Sequence, residues 1–247
     1  MHISLAAEKI IEVGPIAITN TMLVTWIVMV ILAIIAFSVG GNLKLIPGKF
    51  QNIIEYILEY ILDMIESVTQ DREKAKQFFP IVATFFLFII TSNWIGLIPG
   101  FETIGKFIVN HEGKEVLAPF FRPPASDLNT TLALAIISIV TVQIYGVKSL
   151  GAGYFKKFLN FKGPIDFFVG LIEIISEFAK IISFSFRLFG NVFAGGVLLL
   201  VVTFLVPYIA SVPFYGMELF VGFVQALVFA MLTTVFLQMA TVSHDEH

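Results

Sequence analysis

The sequence predicts an all-α polytopic membrane protein. Residues 1–247 read as a single membrane domain with three ordinary transmembrane helices, one amphipathic surface helix and a long, strongly tilted C-terminal helical hairpin. Composition sets the class: 57% of the 247 residues are apolar and 13% charged, with mean hydropathy +0.92. A soluble domain carries about a quarter charged residues. Distribution sets the architecture, because the apolar residues gather in runs near the roughly 20 that cross a ~30 Å hydrocarbon core. The 15 Lys and Arg are outnumbered by 18 Asp and Glu, which leaves no basic field for nucleic acid. Cysteine is absent, which excludes disulfides, thiolate nucleophiles and Cys-ligated metals.

Residues 1–21 hold Glu8, Lys9 and Glu12 and lack a basic n-region. No small-residue cleavage site follows the apolar run 22–39, so that run reads as a retained transmembrane helix. In residues 50–70, Ile53, Ile54, Ile57, Leu58, Ile61, Leu62, Ile65 and Val68 recur at helical spacing opposite Glu55, Glu59, Asp63 and Glu66. This predicts a helix on the membrane surface, whose acidic polar face suits a partner protein better than anionic lipid. The runs 78–98 and 128–147 form a transmembrane pair. Between them Pro99, Gly100, Gly105, Gly113, Pro119, Pro123 and Pro124 punctuate the chain, with a small hairpin expected around His111 to Lys114.

The last third departs from this pattern. Residues 165–206 contain no proline, and a continuous helix of that length would span about 63 Å, twice the hydrocarbon thickness. It must either break or lie steeply tilted. After a turn marked by Pro207 and Pro213, the helix 214–242 meets the same constraint. Tilt is favoured because Asp166, Glu173, Glu177, Lys180, Arg187 and Asn191 follow one another at intervals of 7, 4, 3, 7 and 4, a single polar stripe.

Orientation follows from Lys and Arg in the loops. One side holds Lys44, Lys49, Arg72, Lys74, Lys76, Lys148, Lys156, Lys157 and Lys162, and the other only Lys9, Lys106, Lys114 and Arg122. The N-terminus is therefore expected outside the cytoplasm and the C-terminus inside it. A multi-pass protein of the cell inner (plasma) membrane is expected, since no transit segment is evident.

Ionisable side chains within membrane helices are costly, and each is a functional candidate. Arg187 is the sharpest, because a guanidinium does not deprotonate in proteins and needs a carboxylate or water. The alternative is a packing role, in which Arg187 pairs with Glu177 or Glu173. Lys180 and Glu177, three apart, suit a local ion pair. On the final helix Glu218, Gly222 and Gln225 form a second stripe. An antiparallel hairpin turning near Pro207 would set Arg187 against Gln225 and Gly196 against Glu218. The Gly195-Gly196 pair could alternatively serve close helix packing.

Other chemistries lack their residues. Gly48-Lys49 is followed by Phe50 and has no glycine five residues earlier, so no phosphate-cradling loop and no direct nucleotide binding are expected. His2, His111, His244 and His247 make no zinc-ligand spacing. Neither a nucleophile elbow nor a Ser/His arrangement is present. No metal or cofactor is expected.

Residues Ser183-Phe-Ser-Phe-Arg-Leu-Phe-Gly-Asn-Val-Phe-Ala-Gly195 closely resemble subunit a of the F-type ATP synthases, the stator subunit bordering the rotating c-ring. The likeness extends through Pro124-Ala-Ser-Asp127-Leu-Asn129-Thr-Thr-Leu, through Gln225-Ala-Leu-Val-Phe, and on to Met239-Ala240, covering the chain from Ile53 onward. The resemblance implies a non-catalytic ion channel subunit embedded in membrane lipid. Its implied partners are c-ring subunits and peripheral-stalk b subunits. The long hairpin would curve around the ring, and Arg187 would face the ring's ion-carrying carboxylates and separate two aqueous half-channels. Asn191 and Gln225 match polar positions near that arginine. Glu218 is implied in ion translocation, and Gly196, Ser183, Glu173, Glu177, Asp127 and Asn129 in the access channels. Some family members carry an acid at the position of Gly196 and a histidine at that of Glu218, so here the relaying acid would sit on the last helix.

Two competing readings remain. An independent ion or solute transporter would usually show internal repeats and broken helices, and neither is evident here. A structural scaffold would use the polar stripe as internal glue.

Overall fold

The computed structural model describes residues 9–13, 16–41, 43–44, 46–98, 100–101, 104–109, 115–151, 153–154, 158, 163–206 and 211–242. In chain order its elements are β1 (Lys9–Val13), β2 (Ile16–Thr19), α1 (Asn20–Gly40), α2 (Lys49–Thr69), α3 (Arg72–Gly96), β3 (Gly105–Val109), β4 (Glu115–Pro119), α4 (Leu128–Leu150), α5 (Pro164–Leu205) and α6 (Ser211–Thr241). A single 3-10 turn, Pro124–Ser126, precedes α4. Five of the helices are long and apolar enough to cross a membrane: α1, α3, α4, α5 and α6.

Local chemistry explains where the helices begin. Thr19 caps α1 by accepting from the Met22 amide, and Asp127 caps α4 by accepting from that of Asn129. Asp71 accepts from the amides of Glu73 and Lys74, so α3 starts at Arg72, well before the apolar run at 78–98. The corner between α2 and α3 is only two residues. Gln70 takes the left-handed conformation there (φ 55°), ending α2 through its amide bond to Glu66 O. Pro213, expected in the hairpin turn, instead lies in the first turn of α6, where a missing N–H leaves no ladder bond unmade. The turn at Pro207 lies outside the described residues.

Two antiparallel hairpins add to the helices: β1 pairs with β2, and β3 with β4 from Gly105↔Pro119 to Val109↔Glu115. The tip expected at His111 to Lys114 lies outside the described residues.

The core forms where α3, α4 and α6 meet. Ala135, Ile139 and Val142 of α4 are buried, as are Phe78, Val82, Phe86 and Ile89 of α3. Rings join the layers: Phe85 lies 5.4 Å from Phe229, Phe86 6.0 Å from Phe223, and Phe184 of α5 4.8 Å from Phe229. Buried hydroxyls tie the helices where hydrocarbon offers no other partner: Thr131 to Ser185 at 3.1 Å and Ser138 to Thr233 at 2.9 Å. The second half of α2 joins this core through Ile61 and Ile65, and Gln238 reaches the Thr69 carbonyl. Part of the acidic face of α2 is used within the chain, since Arg72 pairs with both Asp63 and Glu66.

Helix α5 is different. It runs unbroken for 42 residues, about 63 Å by its rise. A far smaller share of it is buried than of α3 or α6. Ile165, Phe168, Ile172, Ile175, Phe178, Ile182, Phe186, Val201 and Phe204 all lie exposed along its length. This apolar face is left open by the described residues of the chain.

Candidate functional site

The polar residues of α5 divide into three groups, with Arg187 in the middle. Arg187 is half-buried. Its Nη2 donates to Ser183 Oγ at 3.3 Å, one turn earlier, and among the described residues it has no carboxylate within ion-pair distance. The packing alternative, a link from Arg187 to Glu177 or Glu173, is therefore not what the fold makes. Ser183 and Asn191 beside it are exposed, and a Cβ at Gly190 would meet nothing within 4 Å. Short side chains on this face leave the guanidinium approachable from outside the chain.

The hairpin register differs from the sequence expectation at the glycine opposite Glu218. Gln225 Oε1 accepts from Asn191 Nδ2 at 2.6 Å, one helical turn beyond Arg187. A Cβ on Gly195, not Gly196, would fall on the Glu218 carboxylate, whereas one on Gly196 would meet nothing within 4 Å. Consecutive helical residues point about 100° apart, so only one of two adjacent glycines can lie against α6. Thr203 and Ser211 close the hairpin at 3.2 Å.

The Glu218 cluster is assembled from three helices. Glu218 is 8% exposed, and Gly195 of α5 makes the space for its carboxyl group. One turn along α6, Gly222 O accepts from Asn93 Nδ2 at 3.2 Å, and Trp94 Nε1 donates to Leu219 O at 3.2 Å. Ser92 Oγ and Asn93 Oδ1 of α3 and Gln225 Nε2 of α6 are buried and lack a partner among the described residues. Orphaned atoms of this kind are expected where water is taken up. Ser92 and Asn93 were missed by the sequence reading, although two adjacent polar residues inside an apolar span were the available signal.

The other cluster lies toward the start of α5. Lys180 pairs with Glu177 at 2.7 Å, the local pair that their spacing suggested, and its ammonium lies 4.8 Å from the Phe236 ring centre. Glu177 Oε2 is buried and unpartnered. Tyr154, from the connector between α4 and α5, donates to Gln143 Oε1 at 2.8 Å. Burial, with the nearby charges of Glu177 and Glu173, pushes the phenol up to about 12. Asp166, first in the expected stripe, is exposed at the start of α5.

Asp127 and Asn129 belong to neither cluster. Asp127 Oδ2 accepts from Thr21 of α1 at 3.0 Å, and Oδ1 accepts from both the backbone and side-chain nitrogens of Asn129. With both oxygens engaged, Asp127 caps α4 and ties α1 to it, which is a structural arrangement.

Along α5, Glu177 lies about 15 Å before Arg187 and Gly195 about 12 Å after it, by the rise per residue. Two polar clusters thus flank one fixed positive charge, on a helix whose open face is otherwise apolar. Such an arrangement can pass ions from either side to the level of the arginine and hinder a cation from passing it.

Residues 22–238 match the family described as ATP synthase A chain. Among curated relatives, the ATP synthase subunit a of Geotalea daltonii is 37% identical over 217 residues, 87% of this chain and 84% of that protein. The protein of the same name from Desulfotalea psychrophila is 39% identical over 223 residues, 89% and 83% of the two chains. That from Campylobacter jejuni is 36% identical over 224 residues, 90% and 89%.

Proposed function

The chain belongs to the ATP synthase A chain family, and from that premise we propose how its residues move an ion. It is an ion-translocating stator subunit of a rotary F-type ATP synthase. The chain itself catalyses no bond chemistry; c-ring subunits pass along the open face of α5, and peripheral-stalk b subunits hold the chain in place. The α5–α6 hairpin lies steeply tilted, because about 63 Å of helix cannot stand upright in a ~30 Å core. The Lys and Arg bias puts the N-terminus outside the cytoplasm and the C-terminus inside. With that orientation Glu173, Glu177 and Lys180 line the cytoplasmic access path. Glu218, Gly195, Ser92 and Asn93 line the path from the opposite side.

A ring carboxylate facing hydrocarbon must be neutralised by its ion, because charge is expensive there. Beside Arg187 it can ionise, since the fixed positive partner favours the charged form in low-dielectric surroundings. The ion is released there to one path, and a new ion arrives from the other after rotation. The same charge hinders a cation from crossing directly between the paths, so transport must go through rotation. Ser183 steadies the guanidinium, while Asn191 and Gln225 fix the helix contact beside it. Gly196 keeps the outer face of α5 low, and Asp127 with Asn129 holds the outer end of α4.

The observation that carries this reading is Arg187, which finds a hydroxyl but no carboxylate among the described residues of its own chain. In the reconstituted complex, Arg187→Ala is expected to abolish ATP-driven ion pumping. Arg187→Lys largely does the same, because lysine can shed its proton and reaches differently. Full pumping by Arg187→Ala would overturn the reading.

A further inference from the structure

Among the described residues of the connector between α4 and α5, Tyr154 is buried against the protein. Tyr154 is 3% exposed and turns back onto α4, where its ring fills the place that a Cβ on Gly146 would take. Any larger residue at 146 would collide with that ring. Phe158 meets the ring edge-on at 5.6 Å, and the hydroxyl donates to Gln143 Oε1. This last bond has a consequence beyond packing. Engaging the amide oxygen fixes which way the Gln143 amide points, so that Nε2 is held as a donor. Among the described residues that nitrogen is buried with no partner, and so is Glu177 Oε2, an acceptor. The two orphans are complementary but make no direct bond. The phenol bonds Gln143, and it feels the charge of Glu177. One water, accepting from the amide and donating to the carboxylate, would satisfy both.

We propose that Tyr154 is a positioning residue for ion uptake from the cytoplasmic side: by orienting Gln143 it builds, with Glu177, a polar mouth that binds water and the hydrated coupling ion. Among the described residues, the charged groups around this mouth are Glu173, Glu177 and Lys180, of which Lys180 already balances one oxygen of Glu177. The second oxygen is left for the passing ion and its water. This inference rests on the proposed role of α5 as the wall of two access paths.

The test uses the complete complex in inverted vesicles, with ATP-driven transport followed against coupling-ion concentration on the exposed cytoplasmic face. Tyr154→Phe keeps the ring and removes only the hydroxyl. It is expected to raise the half-saturating concentration about three- to tenfold, the cost of one hydrogen bond, with little change in maximal rate. Half-saturation from the opposite face, measured in ATP synthesis, stays unchanged. Gln143→Leu is expected to give the same one-sided shift and serves if Tyr154→Phe fails to assemble. Unchanged half-saturation on the cytoplasmic face, or an equal shift on both faces, would overturn the proposal. Arg187→Ala measured in parallel separates the two ideas. Retained pumping in Arg187→Ala sinks the assignment of α5, whereas its loss together with wild-type behaviour in Tyr154→Phe sinks only the role of Tyr154.

Discussion

On the α6 side of Arg187 one acid, Glu218, is enclosed by neutral polar groups, with glycine opposite and unpartnered amide and hydroxyl atoms nearby. On the α4 side two acids share their surroundings with Lys180, and one of them is paired with it at 2.7 Å. Among the described residues the first region has no counter-charge at its acid, and the second balances part of its charge on α5 itself. Charge balance within a cluster makes it tolerant of an apolar neighbourhood, whereas a lone acid depends on space and water. Two polar clusters along one helix can therefore be built by different means. Arg187 between them belongs to neither, since no acid of either cluster reaches it within ion-pair distance.

The largest effect expected on this contrast comes from removing its divider. Arg187→Ala is expected to end coupled transport in the pumping assay, while variants in either cluster leave a residual coupled rate.

Next come the two glycines, which are equal in composition and opposite in surroundings. Gly195→Ala drives a methyl group into the Glu218 carboxyl and is expected to lower both ion flux and melting temperature, at a cost of about 1–3 kcal/mol for overpacking. Gly196→Ala meets open space within the chain, so its thermal stability should match wild type. Equal melting temperatures for the two variants would contradict the register.

Charge in the lone-acid cluster is tested by Glu218→Gln. It should slow proton-flux or sodium-flux assays more than Glu55→Gln on the exposed face of α2. Equal slowing would remove Glu218 from the path.

In the paired cluster, Lys180→Met leaves Glu177 without its partner and should destabilise more than Lys180→Met combined with Glu177→Leu. The coupling energy should be about 1–3 kcal/mol in a double-mutant cycle, since removing one half of a half-buried pair strands the other charge. Additive shifts in melting temperature would show that the pair contributes nothing.

The smallest effect is alkaline. Tyr154 is held neutral to about pH 12 when folded, while an unfolded tyrosine ionises near pH 10. Its contribution to stability is complete below pH 10 and is lost as pH rises from there to about 12. Tyr154→Phe should flatten that part of the stability profile, and an unaltered slope would contradict the burial.

Much of the architecture was legible because runs such as 22–39 and 128–147 combine length and apolarity, a combination that tertiary context seldom overrides. The start of α3 was less legible, since Arg72 to Gln77 is polar and only the cap at Asp71 reveals that helix continues into it. Strands β1 and β2 were not read at all: their nine residues are too short and too unlike an alternating pattern to signal pairing. Arg187, Glu218 and the Lys180–Glu177 pair were legible because charge in an apolar run is conspicuous. The partners were not. Choosing between Gly195 and Gly196 needs the rotation of α5 about its axis, which spacing leaves open by one residue. Asn93 and Tyr154 carry no charge in the sequence, and their importance arises only from contacts 129 and 11 residues away.

The barrier at Arg187 can be tested most directly with the rotor cross-linked to the stator, by measuring downhill ion flux through the reconstituted membrane sector. Wild type should conduct nothing above the lipid background. Arg187→Ala should conduct ions without rotation, because the two polar clusters would no longer be separated by a fixed positive charge. A locked Arg187→Ala sector as tight as wild type would contradict the account.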